Sequence, residues 1–168
     1  TGEIHSCLNI GNVHSQGGEA GGLVGFNTNG VKRGHRTGCL SVGQVTASDV
    51  SMSGGLIGQD YRLSLSTSTP IIIENNYYDS QYSSLRGSGN MDRDGLSGAP
   101  TSSLTSGVAP AGFGDEWATA GGRYPVPAAT AASFDIVERG AATYILVNEP
   151  SAVYNFGNGV LSAAGDTK

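Results

Sequence analysis

One segment of the chain has the spacing of oxygen ligands that a calcium-binding loop needs. Residues 90–95 read Asn-Met-Asp-Arg-Asp-Gly, so oxygen-bearing side chains alternate and a glycine follows for the turn. The twelfth position counted from Asn90 is Thr101 rather than a bidentate glutamate, and no helical pattern flanks the segment. We therefore interpret residues 90–95 as a polar loop, with calcium binding as the alternative.

The two cysteines, Cys7 and Cys39, begin two similar blocks, C-L-N-I-G-N-V and C-L-S-V-G-Q-V. If equivalent positions lie in adjacent parallel strands, their backbones are about 4.8 Å apart, which is within the range of a disulfide. In-register stacking, however, points both Cβ atoms the same way and gives poor disulfide torsions. We expect two buried thiols in a core ladder, with a disulfide between the strands as the alternative.

No set of catalytic side chains stands out. Glu74 with Asp79, or Asp115 with Glu116, could supply two carboxylates for glycoside chemistry, but paired acids on a β-rich protein are more often solvated. The G-x-S-x-G motif of serine nucleophiles and a phosphate-binding glycine loop are both absent. We predict that the chain is not an enzyme and has no catalytic residue, no metal and no cofactor, since the histidines also lack zinc-site spacing: His5, His14 and His35.

These side chains belong to a repeating sequence. Residues 21–25 read Gly-Gly-Leu-Val-Gly and residues 54–58 read Gly-Gly-Leu-Ile-Gly, and one of the two cysteine blocks precedes each copy. Apolar residues alternate with Gly, Asn and Ser and lack a helical period, so the repeat is β-structured. A unit of this length gains a core only by stacking on its neighbour.

The repeat predicts an all-β fold: a right-handed parallel β-solenoid-like stack of repeats, followed by a C-terminal cap and a short β-rich tail. Residues 71–79 form a degenerate third copy, in which Ile73 and Tyr77 align with Arg36 and Leu40, and the Gly-Gly-Leu block does not return in the sequence after it. We expect matched sites in adjacent repeats for three pairs, Leu23/Leu56, Val24/Ile57 and Val13/Val45, with Leu23 and Leu56 facing the core.

The segment after the repeats has the composition of a loop and a cap. Residues 80–107 are rich in Ser, Gly and Asp, and the aromatic residues that follow them are expected to cover the last repeat, with Trp117 buried near Phe113 and Tyr124. Four tyrosines could form a strip for sugar stacking. We expect instead that Tyr77 stacks in the ladder and that the other three lie on the surface: Tyr61, Tyr78 and Tyr82.

Together these residues resemble the bacterial GLUG-motif repeat over residues 1–127. The resemblance rests on three motifs in order: I-x-x-C-x-x-x-G-x-V, G-G-L-V-G-x-N and N-N-Y-Y-D-S. A Ser/Gly-rich stretch follows them, and then come Leu104-Thr105, Trp117 and Tyr124-Pro125. Tyr78 stands where the family has Trp, and residues 31–35 resemble an insertion. The resemblance implies a portion of a large secreted or surface-anchored bacterial protein, such as an adhesin or the non-catalytic part of a surface protease. The family offers no agreed catalytic residues.

We divide the chain into three ranges. Residues 1–79 hold about three repeats, residues 80–127 the loop and aromatic cap, and residues 128–168 a linker and the start of a second β module that weakly resembles an immunoglobulin-like domain. Within the last range, residues 133–137, 143–147 and 152–156 are β-prone. Three short strands are too few for an independent core, so we expect a chain cut from a longer parent with flanking domains.

The composition of the chain limits the classes of partner that it could bind. The chain has 9 basic and 14 acidic residues, a formal charge of −5 and no basic stripe, so nucleic-acid binding is not expected. No apolar run reaches transmembrane length, so membrane insertion of this segment is not expected either. We predict a non-catalytic adhesion or display stalk outside the cell or on the bacterial surface, with a host glycan or extracellular protein as partner. The alternative is an accessory carbohydrate-binding part of a β-helical polysaccharide-active enzyme or surface protease.

Overall fold

A computed structural model of the chain describes residues 3–28, 35–61, 72–83, 86–89, 91–131, 134–139, 142–147, 153–156 and 159–162. The chain forms two compact units, which we describe separately. The first unit comprises residues 1–101 and 110–113, and the second comprises residues 102–109 and 114–168. Strands dominate and helix is scarce, so the all-β prediction is confirmed.

Each repeat of the first unit contributes several short strands. The first repeat has β1 (Glu3–His5), β2 (Leu8–Asn9), β3 (Val13–Ser15), β4 (Ala20–Gly21) and β5 (Val24–Thr28). The second has β6 (His35–Thr37), β7 (Leu40–Ser41), β8 (Val45–Ala47), β9 (Ser53–Gly54) and β10 (Ile57–Tyr61), with a 3-10 turn at Val50–Met52. The third has β11 (Ile73–Glu74) and β12 (Asn76–Asp79), and β13 (Leu96–Ala99) follows.

Every strand of the first repeat pairs in parallel with its counterpart in the second. The sheet orders are β1-β6-β11 and β2-β7-β12-β13, and β3 pairs with β8, β4 with β9 and β5 with β10. The predicted pairs Val13/Val45 and Val24/Ile57 are in register, and so are Arg36/Ile73 and Leu40/Tyr77. The alignment of the degenerate third copy is therefore confirmed at the level of strand register.

The core of this unit lies between the repeats. Leu56, Ile57, Ile73 and Tyr78 form a buried cluster, and Leu23 packs against its edge. Leu56 is fully buried, whereas Leu23 is partly exposed because its stacking neighbour among the described residues lies on one side only. The prediction that both leucines face the core is confirmed.

The Gly-Gly-Leu block is glycine-rich because backbones and side chains approach it closely. A Cβ on Gly54 would lie 2.8 Å from the carbonyl oxygen of Gly87, and a Cβ on Gly55 would overlap the ring of Tyr78. Both glycines thus make room for the next repeat. Their role is close approach, because neither has a positive φ.

The left-handed backbone conformation lies instead at a different corner, the one that precedes β2, β7, β12 and β13. Ser6, Gly38, Asn75 and Gly95 have φ values of 49°, 64°, 56° and 82°. These four positions are equivalent because each lies two residues before one of the paired positions Leu8, Leu40, Tyr77 and Ser97. Only glycine and, less readily, short polar residues adopt this conformation, which explains the residue types found there.

The backbone hydrogen-bond pattern of the Gly-Gly-Leu block occurs a third time, at Gly87, although the Gly-Gly-Leu sequence does not. The amides of Leu23 and Val24 both donate to the carbonyl of Leu56, at 2.9 and 3.1 Å. In the same way, the amides of Leu56 and Ile57 donate to the carbonyl of Gly87, at 3.1 and 2.9 Å. Gly87 therefore occupies the place of the repeat leucine, and residues 80–107, expected to be a loop, contain this turn as well as β13.

The second unit is built from antiparallel pairs. They are β14 (Trp117–Ala118) with β15 (Val126–Pro127), β16 (Phe134–Arg139) with β17 (Ala142–Val147), and β18 (Val153–Phe156) with β19 (Gly159–Ser162). Helix α1 (Thr101–Leu104) and a 3-10 turn at Ala128–Thr130 complete the described elements. The three β-prone runs of the tail are strands, and β19 is a fourth that the sequence analysis missed. The three predicted ranges of the chain stay predictions.

Candidate functional site

The residues of the predicted calcium-type loop do not come together as ligands. Asp92 is exposed and pairs with the exposed Arg86 at 3.5 Å, and Asp94 is exposed too. Gly95 is the left-handed corner before β13 rather than the turn of a metal loop. Asn90 lies outside the described residues. Among the residues that the structure describes, no three His, Cys, Asp or Glu side chains cluster in a way that could hold a metal ion.

The charged residue in the middle of that loop is instead part of a buried polar cluster. Arg93 forms an ion pair with Asp60, whose side chain is fully buried. Asn27 donates from Nδ2 to Oδ1 of Asp60 at 2.5 Å, and its Oδ1 accepts from Nη2 of Arg36 at 2.7 Å. We call these four residues the Arg–Asp cluster. It joins the first and second repeats to the loop before β13.

Three of the four members of the Arg–Asp cluster are placed by the repeat register. Arg36 stands between Ile4 and Ile73 in the β1-β6-β11 sheet, so a guanidinium replaces an isoleucine at that position. Asn27 and Asp60 are partners in the β5–β10 pair. The side chain of Arg93 is only 8% exposed, and it reaches the cluster from residues that precede the corner at Gly95.

The electrostatics of this cluster reflect its burial. Removal from water lowers the pKa of the Arg36 guanidinium, and it lowers the pKa of Arg93 as well, where the positive charge of Arg36 adds to the effect. Both groups nevertheless remain protonated at any physiological pH. The carboxylate of Asp60 is thus the anion that compensates Arg93 inside the protein.

The other predicted carboxylates are not paired with each other. Asp79 is buried, and it accepts from Oγ1 of Thr101 at 2.6 Å and from the amide of Gln81 at 2.9 Å, while Glu74 is exposed. Asp115 and Glu116 are exposed, and Oε1 of Glu116 accepts from the amide of Gly114 at 3.2 Å. Asp79 therefore ties the end of β12 to the first residue of α1.

The tyrosines do not form an exposed strip. Tyr77 is half-buried in register with Leu40, and its ring meets Phe113 edge-on with centroids 5.6 Å apart. The register with Leu40 confirms that Tyr77 stacks in the ladder. The expectation that Tyr78 lies on the surface is wrong, because its ring packs over Gly55 in the core and burial raises its pKa. Tyr82 is half-buried, and the side chain of Tyr61 lies outside the described set.

Aromatic residues of the predicted cap are buried as expected. Phe113 covers Tyr77, and Tyr124 and Trp117 are 1% and 6% exposed within the second unit. The hydroxyl of Tyr77 also donates to the carbonyl of Ala111 at 3.1 Å. The contact of residues 111–113 with the third repeat thus supports a capping role for that segment. The placement of Trp117 against the third repeat stays a prediction.

Polar ladders connect the repeats on their outer side. Nδ1 of His5 is hydrogen-bonded to Oγ1 of Thr37 at 2.5 Å, and Nδ1 of His14 to Oγ1 of Thr46 at 2.8 Å. Both contacts join residues 32 positions apart. His35 is half-buried in β6, and the remainder of the proposed insertion lies outside the described residues. The histidines therefore serve the stacking of the repeats rather than a shared site.

The two cysteines are free thiols on neighbouring repeats. The amide of Leu40 donates to the carbonyl of Cys7 at 2.9 Å, which makes Cys7 and Cys39 neighbours at the starts of adjacent strands. Burial raises the pKa of Cys39 to about 11. The expectation of two buried thiols is wrong for Cys7, which is exposed because only the second repeat covers it among the described residues.

The Arg–Asp cluster was not predicted from the sequence. The available signal was an arginine at a position where the other two repeats carry isoleucine, together with an acid at the repeat position of Asn27. When a charged residue replaces an apolar one in a core ladder, it needs a buried partner of opposite charge, because an unpaired buried charge is strongly destabilising. The partner from the loop, Arg93, has no repeat counterpart and gives no such signal.

Comparison with known proteins adds no relative. No protein-family model, no curated protein and no solved structure matches the chain significantly. In the described part of the chain, no helix is long and apolar enough to span a membrane.

Proposed function

We propose that this chain is a non-catalytic repeat module of a bacterial secreted or cell-surface protein. Its repeats form a right-handed parallel β-solenoid, and the module acts as a stalk for adhesion or display. The resemblance of residues 1–127 to GLUG-motif repeats supports this proposal. The partner on this proposal is a host glycan or an extracellular protein.

The observation that carries the proposal is the use made of the polar side chains. Asp60 binds Arg93 of the loop before β13, Asp79 binds Thr101 at the start of α1, and His14 binds Thr46 of the next repeat. Each contact joins two separate segments of the chain. These are the residue types from which an active site would be built, yet each is committed to the stacking of the chain. A chain whose polar side chains bind other segments of the same chain is suited to a mechanical or display role.

Support for an exposed binding face comes from the repeat itself. Outward positions of the first two repeats carry polar side chains at matched places, such as His5 beside Thr37 and His14 beside Thr46, so a ligand would meet polar groups on each repeat. Affinity on such a surface arises from several weak contacts in a row. The alternative, an accessory carbohydrate-binding role within a larger enzyme, requires an aromatic platform, and the core position of Tyr78 removes one of its members.

The test is a paired binding and turnover screen on the purified chain. It should be applied to glycan arrays and immobilised extracellular matrix proteins, and separately incubated with polysaccharides and peptides in the presence of calcium. We expect saturable binding to one ligand class and no turnover. Asp92→Asn and Asp115→Asn are the matched variants, because both carboxylates are exposed and their loss leaves the fold intact. Turnover that either variant abolishes would contradict the proposal, and so would the absence of any binding.

A further inference from the structure

The two cysteines are neighbours across the stacked repeats. Leu8 pairs with Leu40 in the β2–β7 register, so Cys7 and Cys39, each one residue before that pair, lie side by side. Cys39 is fully buried whereas Cys7 is exposed, so the pair is open to solvent on one side.

This geometry suits a bridging ion better than a disulfide. Adjacent strands are about 4.8 Å apart, and parallel in-register residues point their Cβ atoms in the same direction. A disulfide needs sulfur atoms about 2.05 Å apart and a twist of about 90° between the Cβ atoms. Zinc–thiolate bonds are about 2.3 Å long, and two bonds of that length in a line span about 4.6 Å, which is close to the strand spacing.

The surroundings favour a metal that accepts only two ligands. The thiol of Cys7 donates to the carbonyl of His5 at 3.2 Å, and that of Cys39 donates to the carbonyl of Thr37 at 3.4 Å. No third His, Cys, Asp or Glu joins them in the described part of the chain, so the three or four protein ligands of a zinc site are not at hand. Thiolates select soft ions, of which monovalent copper is the biological example.

We propose that Cys7 and Cys39 form a two-thiolate site for one soft monovalent ion of the Cu(I) class, which bridges the first and second repeats. On binding, each thiol releases its proton to solvent and each sulfur forms one bond to the ion. No oxidation state changes. This site replaces the sequence-based prediction of no metal, which rested on the absence of zinc-site spacing among the histidines, and it does not depend on the proposed adhesion role.

The experiment is an anaerobic titration of the reduced protein with Cu(I) supplied as its coloured bicinchoninate complex. We expect one ion per chain, a chain that stays monomeric in size-exclusion chromatography, and X-ray absorption spectra with two sulfur neighbours. Cys7→Ser and Cys39→Ser should each weaken binding by more than the roughly 10–100-fold that loss of an outer-shell group costs. His5→Ala is the control and should bind as the wild type does, because its ring is already hydrogen-bonded to Thr37.

Several results would overturn the site. One is half an ion per chain with dimer formation, which would mean that Cys7 bridges two molecules. Another is unchanged affinity in Cys39→Ser, or a loss in His5→Ala. A purified protein about 2 Da lighter than calculated, without reactive thiols, would show a disulfide instead. Circular dichroism checks that the serine variants fold, and the sulfur count in the wild-type spectrum tests the site without any variant.

Discussion

Replacing Asp60 with asparagine should destabilise the first unit by about 3–5 kcal/mol, because the change removes one partner of a buried ion pair. The side chain of Asp60 is fully buried, and asparagine has nearly the same shape, so packing stays constant while the charge is lost. Arg93, itself only 8% exposed, then keeps its charge inside the protein without a carboxylate. The positive charge of Arg36 nearby adds to the cost.

The assay must report on the unit that holds the cluster. Trp117 belongs to the other unit, so its fluorescence is unsuitable. Hydrogen exchange of the Leu40 and Ile57 amides is suitable, because both donate to carbonyls of a neighbouring repeat. A loss of 3–5 kcal/mol should accelerate their exchange by about a hundredfold to a few thousandfold, since about 1.4 kcal/mol corresponds to a factor of ten.

Asp92→Asn is the matched control, because Asp92 also pairs with an arginine but both partners are exposed, at 85% for Asp92 and 60% for Arg86. Exposed pairs contribute about 0–1 kcal/mol, so this variant should exchange almost as the wild type does. The double variant Asp60→Asn with Arg93→Met should recover part of the loss, because it removes the uncompensated charge. Equal, small effects of Asp60→Asn and Asp92→Asn would refute the buried pairing.

Three further substitutions test the packing between repeats. Leu56→Ala should cost about 2–5 kcal/mol in denaturant unfolding, because Leu56 is fully buried in the core cluster, and a cost below 1 kcal/mol would contradict that position. Gly58→Ala should cost about 1–3 kcal/mol, since its Cβ would lie 2.7 Å from the amide nitrogen of Ala20, whereas its repeat counterpart Gly25 has no atom nearer than 3.4 Å and should tolerate alanine. Gly95→Ala should also lower stability by about 1–3 kcal/mol, because φ is +82° and the Cβ would overlap the backbone of the third repeat; a neutral effect would exclude that conformation.

The strand register of the repeats could be predicted from the sequence because its cause is local and periodic. The Gly-Gly-Leu block and the cysteine block recur at a nearly fixed interval, and in-register stacking follows once each unit must bury its apolar face on the next. The same logic placed Ile73 and Tyr77 correctly, although that copy has lost most of its sequence identity.

The remaining features depend on contacts that the period does not encode. Gly87 takes the place of the repeat leucine through backbone hydrogen bonds, which are insensitive to the side chain. Ser6 and Asn75 adopt the left-handed corner without being glycine, so composition does not mark them. Arg93 reaches Asp60 from a loop without a repeat counterpart, and the six-residue motif around it has the spacing of a calcium site. A buried ion pair between such distant segments is fixed by tertiary structure alone.

Scalar couplings across backbone hydrogen bonds in solution NMR can show whether successive repeats stack in parallel register. The stacked arrangement predicts correlations from the amide of Leu40 to the carbonyl of Cys7, from Tyr77 to Cys39, and from Ile57 to Gly87. The last of these would also establish the third copy of the block. Correlations that join these amides to carbonyls within their own repeat, as in hairpins, would contradict the stacked arrangement.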